Sequence, residues 1–110
     1  MEQLKFSAWE QMQLVVGKIE SVEDHPKADK LYVLKVDLGT EVRTIVAGLK
    51  KHYGREGLVG KNVIVIMNLE HATIRGVKSE GMILAAVNDD ESSVVLLTPE
   101  KDIEVGSRVR

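Results

Sequence analysis

The segment NLEHATIRGVKSEGMIL, Asn68 to Leu84, begins polar and ends apolar. Inside it lie Arg75, Gly76, Val77, Lys78, Ser79, Glu80 and Gly81. Two cations and a hydroxyl held near one another are groups that can bind an oxyanion. The segment is also long, since turns that join two strands take about two to five residues. The charge around it is uneven. Arg43 to Lys78 holds seven cations (Arg43, Lys50, Lys51, Arg55, Lys61, Arg75, Lys78) against two anions (Glu56, Glu70), a net of +5. The remainder carries −7, much of it at Asp89, Asp90, Glu91, Glu100, Asp102 and Glu104, and the whole chain −2. A basic middle in an acidic chain is an electrostatic footprint for phosphate. On charge alone, a solvated surface whose signs balance in three dimensions is the simpler reading.

Other chemistries find little support. There is no cysteine, which removes disulfides, thiolate metal sites and thiol catalysis. His25, His52 and His71 lack metal-ligand spacing, and the scattered carboxylates make no catalytic constellation. Neither enzymatic activity, a metal nor a cofactor is expected. No apolar run approaches the about 20 residues of a membrane span, so no membrane partner is expected. The segment MEQLKFSAWEQ shows no basic stretch followed by an apolar core, as a secretory signal would. The 110 residues, 44% apolar, fit one cytoplasmic domain with a packed core.

The elements that must position the cations are mostly strands. Ser7 followed by Glu10 fits a capping box and predicts a short helix within residues 1–13, with Trp9 and Met12 on one face. Leu14 to Val22 is a strand, in which Gly17 marks a bulge or bend. Asp24-His25-Pro26 turns the chain. From Leu31 to Leu38, Tyr32, Leu34, Val36 and Leu38 share one face, Lys35 and Asp37 the other. Val42 to Ala47 is the third strand. Gly54 and Gly57 keep any helix between Gly48 and Gly60 short. A helical turn there would put Lys51 and Arg55 on one face. Val63 to Met67 is apolar without alternation, as a strand covered on both sides would be. Gly81 to Val87 is the fifth strand. Ser93 to Leu97 and Ile103 to Val109 are extended additions joined through Thr98-Pro99. The expected fold is all-β: a five-stranded OB-fold barrel with a short helix between strands three and four. Residues 1–13 form an N-terminal helical extension and 14–110 the barrel domain. The connection between strands four and five, Asn68 to Glu80, is then one lip of the oligonucleotide-binding face.

Three blocks carry a resemblance: VGKIESVEDHPKADKLYVLKVDLG (Val16 to Gly39), RTIVAGLKKHY (Arg43 to Tyr53) and NLEHATIRGVKSEGMILAA (Asn68 to Ala86). Together, in this order, they resemble the tRNA-binding domain family, over about Leu14 to Arg110. The resemblance implies an OB-fold module that binds tRNA by overall shape, carries no catalytic residues and forms a homodimer. It implies a C-terminal domain or separate beta chain of methionyl-tRNA synthetase, or a free-standing protein. The synthetase catalytic chain is then an expected partner. A related branch of small dimeric chaperones associated with secretion binds polypeptides on the same fold. The HPKADKLY block and the full SEGM favour tRNA.

Asn68, Arg75, Ser79, Gly81 and Met82 match positions of the family motif. Arg75 can fork onto a phosphate, with Lys78 as a looser point charge. Gly76 and Gly81 allow positive φ or close approach to a ligand. Ser79 and Asn68 can donate to phosphate or ribose oxygens, and Met82 can pack on a ribose or base. The plainer alternatives are a turn cap for Asn68, local turn chemistry for Ser79 with Glu80, and a core role for Met82. Lys50, Lys51 and Arg55 form a second basic group, or a solvated basic helix. HPKADKLY reads as architectural, with Lys27 and Lys30 near RNA. Apolar residues from Val94 to Leu97, with Ile103 and Val105, are candidates for a subunit interface or for the chain's own core.

Overall fold

The computed structural model describes all 110 residues. Its organising element is the eleven-residue strand β1, Leu14–Asp24. On one edge β1 pairs antiparallel with β4, Asn62–Ile66. On the other it meets β2, Tyr32–Asp37, and the short C-terminal strand β10, Arg108–Val109. β2 pairs in turn with β3, Val42–Ala47. The strand register shifts between Ile19 and Ser21, so the irregularity falls at Glu20 and not at Gly17. Gly17 answers a different need. A Cβ there would stand 2.7 Å from Cγ1 of Val36, so the glycine lets β2 pack closely.

The alternation in β2 arises because one of its faces lines the barrel. Tyr32, Leu34, Val36 and Leu38 are all buried, together with Ile19, Ile45, Leu58, Val63 and Val65. β4 is apolar on both faces for a separate reason. Ile64 and Ile66 face outward and join Leu14 and Val16 in a second cluster, covered by Trp9, Met12, Leu84 and Val109. The first two of these come from or adjoin helix α1, Phe6–Gln11. Its N-cap is Lys5 with no side-chain cap bond, and Ser7 sits inside the helix, so the expected capping box does not form. Docking of the apolar face holds this short helix in place of a cap. No helix is long and apolar enough to cross a membrane.

The barrel nearly closes along the free edge of β3. The Glu80 amide donates to the Thr44 carbonyl at 2.8 Å. The Thr44 amide donates to the Glu80 carboxylate at 3.0 Å, and the Val46 amide to the Ser79 hydroxyl at 3.0 Å. The expected fifth strand, Gly81 to Val87, is divided into β7, Met82–Ile83, and β8, Ala85–Val87. Leu84 is where the chain changes partner. Its amide donates to Ile64 of β4, while its carbonyl accepts from Leu97 beyond β9, Val94–Leu96. β8 pairs with β9 apart from the main sheet. Of the expected extension from Ile103 to Val109, only β10 is a strand, because the chain turns at Val105-Gly106.

Candidate nucleic-acid interface

Residues 68–80 are more ordered than a loop. They contain an antiparallel ribbon of β5, Ala72–Ile74, and β6, Val77–Ser79. Arg75 and Gly76 form its two-residue tip, with φ of 52° and 87°. Positive φ at both positions is the type I′ pattern, whose twist matches that of the paired strands. Glycine takes this conformation freely. An arginine pays about 1 kcal/mol for it. Arg75 is exposed. The strained residue is therefore also the most prominent cation of the ribbon, a combination typical of functional sites.

The ribbon is braced from the side by His25. This ring is buried, with Nε2 2.9 Å from the Ile74 carbonyl and Nδ1 accepting the Lys27 amide at 3.0 Å. An acceptor role at Nδ1 and a carbonyl facing Nε2 together require the neutral Nε2–H tautomer. Sequence reading treated HPKADKLY as a turn and missed this strut. A histidine before proline, two residues from the amide it caps, was the available signal.

The seven cations of the basic middle divide sharply. Arg43 is a clamp for the barrel seam: it pairs with Glu41 and donates to the carbonyls of Met67 at 2.6 Å and Glu80 at 3.1 Å. Lys50 pairs with Asp24 at 3.3 Å. Lys61 lies 5.9 Å from the centre of the Tyr53 ring. Lys51, Arg55, Arg75 and Lys78 are exposed and make no ion pair. Arg55 opens α2, Arg55–Leu58, whereas Lys51 lies in the turn before it. The two do not share a helical face as expected. Gly54, extended at the N-cap, interrupts any longer helix.

Lys78 sits on the outward side of β6, opposite buried Ser79. Glu80 is held below its usual value of 4.5, first by the Thr44 amide bond and then by the charges of His71, Lys78 and Arg43. Lys51 is held below its usual 10.5, chiefly by the side chain of Lys30 beside it and by that group's like charge. Lys30 also shares a cleft with Arg75, lined by Ala28, Asp29 and Leu31. The free cations thus run from the turn at 50–52, past Lys30, to the ribbon tip.

Two expected contact residues are occupied elsewhere. Ser79 is only 4% exposed. Its hydroxyl accepts from Val46 and donates to the Gly81 carbonyl at 3.1 Å, so both bonds are spent within the barrel seam. Asn68 ties the helical extension to the barrel, donating to the Gln11 carbonyl at 2.6 Å and accepting the Gln13 amide at 2.9 Å. Gly81 is also a packing residue: a Cβ there would lie 3.1 Å from the Ile66 carbonyl. Met82, by contrast, is 46% exposed, which sets aside a core role. It lines an open, mainly apolar groove of about 480 Å³ with Leu49, His52, Ile83, Val87, Val94 and others. No group of three or more histidines and carboxylates is placed to hold a metal ion.

Comparison with known proteins identifies the family and the fold. Residues 14–108 match the family described as putative tRNA binding domain. The chain is 56% identical over 110 residues to the methionine–tRNA ligase of Pyrococcus horikoshii, covering all of this chain and 15% of that enzyme. It therefore spans a small part of that relative. The crystal structure of a MetRS-related protein from Pyrococcus horikoshii superposes with a TM-score of 0.93 at 34% identity, over 100% of both chains. The chaperone CsaA from Picrophilus torridus superposes with a TM-score of 0.88 at 27% identity, over 98% of this chain and 100% of its own. The match over nearly the whole barrel makes this chain a member of the putative tRNA-binding domain family.

Proposed function

We propose that this chain is a non-catalytic module that binds tRNA by shape and backbone contacts. The observation that carries the reading is the set of exposed, unpaired cations, Lys51, Arg55, Arg75 and Lys78, in a chain whose other middle cations are engaged internally. A-form helices hide their base edges in a deep, narrow groove and are recognised through phosphates and 2′-hydroxyls. Spread cations suit that task. Binders of single strands stack bases on aromatic rings. Here Tyr32 and Tyr53 are tied into the interior, Tyr32 donating to the Tyr53 carbonyl at 2.7 Å and the Tyr53 hydroxyl accepting the Leu96 amide at 3.1 Å. Trp9 packs on the opposite cluster. In this reading the four cations contact phosphate, Met82 packs on a ribose or base, and Lys50 contributes once released from Asp24. Ser79 and Asn68 act indirectly, by fixing the ribbon and the helical extension.

The module works with methionyl-tRNA synthetase in the cytoplasm, as its C-terminal domain or a separate beta chain, and raises its hold on tRNA. It forms a homodimer through the helical extension. Phe6, 71% exposed, lines a pocket with Trp9, Met12 and Val109, and Leu4 in the same N-terminal segment is 72% exposed. Glu10 and Arg110 border the same pocket, so a two-fold pairing can match carboxylate to guanidinium in both directions. The test of tRNA binding is Arg75→Ala. It is expected to weaken binding to all tRNAs alike and lower the salt slope by about one unit. A loss confined to one tRNA species would contradict recognition by shape.

The apolar groove around Met82 favours a second reading, a polypeptide-binding chaperone. Unfolded polypeptide that competes with tRNA and tolerates loss of Arg75 would support it.

A further inference from the structure

Three segments distant in sequence each deliver one unpaired cation to the same place. The turn at 25–31 is closed by the His25 amide on the Leu31 carbonyl at 3.0 Å and the Leu31 amide on the Ala28 carbonyl at 3.3 Å. It presents Lys30. The turn at 50–52 is closed by the His52 and Tyr53 amides, both 2.9 Å from the Leu49 carbonyl. It presents Lys51. The ribbon tip presents Arg75, one residue from the carbonyl that His25 braces. Lys30 shares a cleft with Arg75, and its turn packs against the segment that leads to Lys51: a Cβ at Gly48 would stand 3.7 Å from Cδ2 of Leu31, and Lys50 reaches Asp24 at 3.3 Å. None of the three has a carboxylate partner, although Lys50 next door pairs with Asp24. Asp29 lines the cleft but pairs with neither Lys30 nor Arg75. Like charges held together by hydrogen-bonded turns are unfavourable unless an anion joins them.

Building on the reading of the chain as a tRNA binder, we propose that Lys30, Lys51 and Arg75 form one phosphate-binding site. Its ligand is a phosphodiester of the nucleic-acid backbone. Arg75 takes two oxygens in a fork, and the two ammonium groups take the remaining lone pairs. Lys30 is the shared member of the site. A shared phosphate has a signature that separate contacts lack. Contacts to different phosphates add, while contacts to one phosphate do not.

The experiment measures tRNA affinity across a salt series for the full chain carrying Lys30→Gln, Lys51→Gln, or both, with Lys101→Gln as an exposed control. Each single change is expected to weaken binding about fivefold. The double change should weaken it by clearly less than the product, with the salt slope falling by about one unit in total and not two. Asp29→Asn should strengthen binding, by up to about fivefold. The inference is overturned if the two losses multiply and the slope drops once for each. It is equally overturned if Lys30→Gln behaves as Lys101→Gln does, and in that case the tRNA reading stands. If the unaltered chain binds no tRNA, the tRNA reading fails, and the site is judged with dimethyl phosphate by nitrogen NMR of the lysine ammonium groups. Lys30 and Lys51 shifting on one isotherm, lost in Arg75→Gln, would uphold the site. Shifts no larger than that of Lys101 would reject it.

Discussion

Ser79→Ala separates the two roles open to a hydroxyl in this motif. The change removes one acceptor and one donor from a site that is 4% exposed. The Val46 amide, now 3.0 Å from Oγ, is left without a partner in the barrel seam, and the Gly81 carbonyl loses its donor. Stranding one buried donor costs about 1–3 kcal/mol. A loss of about 2 kcal/mol lowers Tm by near 8 °C in a domain of about this size. Thermal unfolding followed by circular dichroism reads this directly, with Lys78→Ala as the exposed neighbour expected to stay within about 0.5 kcal/mol. The same variant is then assayed for tRNA affinity at a temperature where it is fully folded. Its salt slope should be unchanged, because no phosphate contact has been removed. An unchanged Tm with a slope lower by about one unit would refute the reasoning and return Ser79 to the RNA surface.

The remaining predictions concern the ribbon and the seam. Arg75→Asn places Asn-Gly at a type I′ tip and relieves the strained arginine. Tm should rise by about 4 °C while tRNA binding weakens, and a fall in Tm would remove the case for strain. His25→Ala unpairs the Ile74 carbonyl and the Lys27 amide. Hydrogen exchange should quicken in β5 and β6 before β2 or β4, and uniform protection would deny the strut. Glu80 has a folded pKa depressed below 4.5, so its stabilisation is present above that value and fades as pH falls through the lower folded one. Glu80→Gln should cost about 1 kcal/mol at pH 7 and less as the pH drops below about 4. An equal cost at both pH values, read from denaturant midpoints, would show that the charge is not involved.

Strands were legible where one physical rule governed them. β2 alternates because it has a wet face and a core face. β4 does not, because α1 covers its outer side. Legibility failed where two structures share one pattern. Ser7 and Glu10 have capping-box spacing, yet the helix starts at Phe6, and its hold on the barrel comes from Trp9, with Met12 just beyond its end. An apolar run spans 82–87, and nothing in it marks the change of partner at Leu84. Arg-Gly lacks the usual hairpin signature of Asn-Gly, so the ribbon in 68–80 read as a polar loop. Counting charges placed Arg43 with Arg75, although one clamps carbonyls inside the seam and the other points to solvent. A serine beside a glycine reads alike whether it meets a phosphate or a buried amide. The proposed interface therefore comprises Lys30, Lys50, Lys51, Arg55, Arg75, Lys78 and Met82, with Ser79 and Asn68 acting behind it.

The most direct test of tRNA binding is fluorescence anisotropy with folded tRNA over a salt series, with an unstructured RNA of equal length as competitor. Three neutralised phosphates, one shared by Lys51 and Arg75 and one each for Arg55 and Lys78, at about 0.7 to 0.9 unit each, predict a slope of about 2 to 3 and a clear preference for folded tRNA. Equal competition by the unstructured RNA, or no binding near physiological salt, would contradict the account.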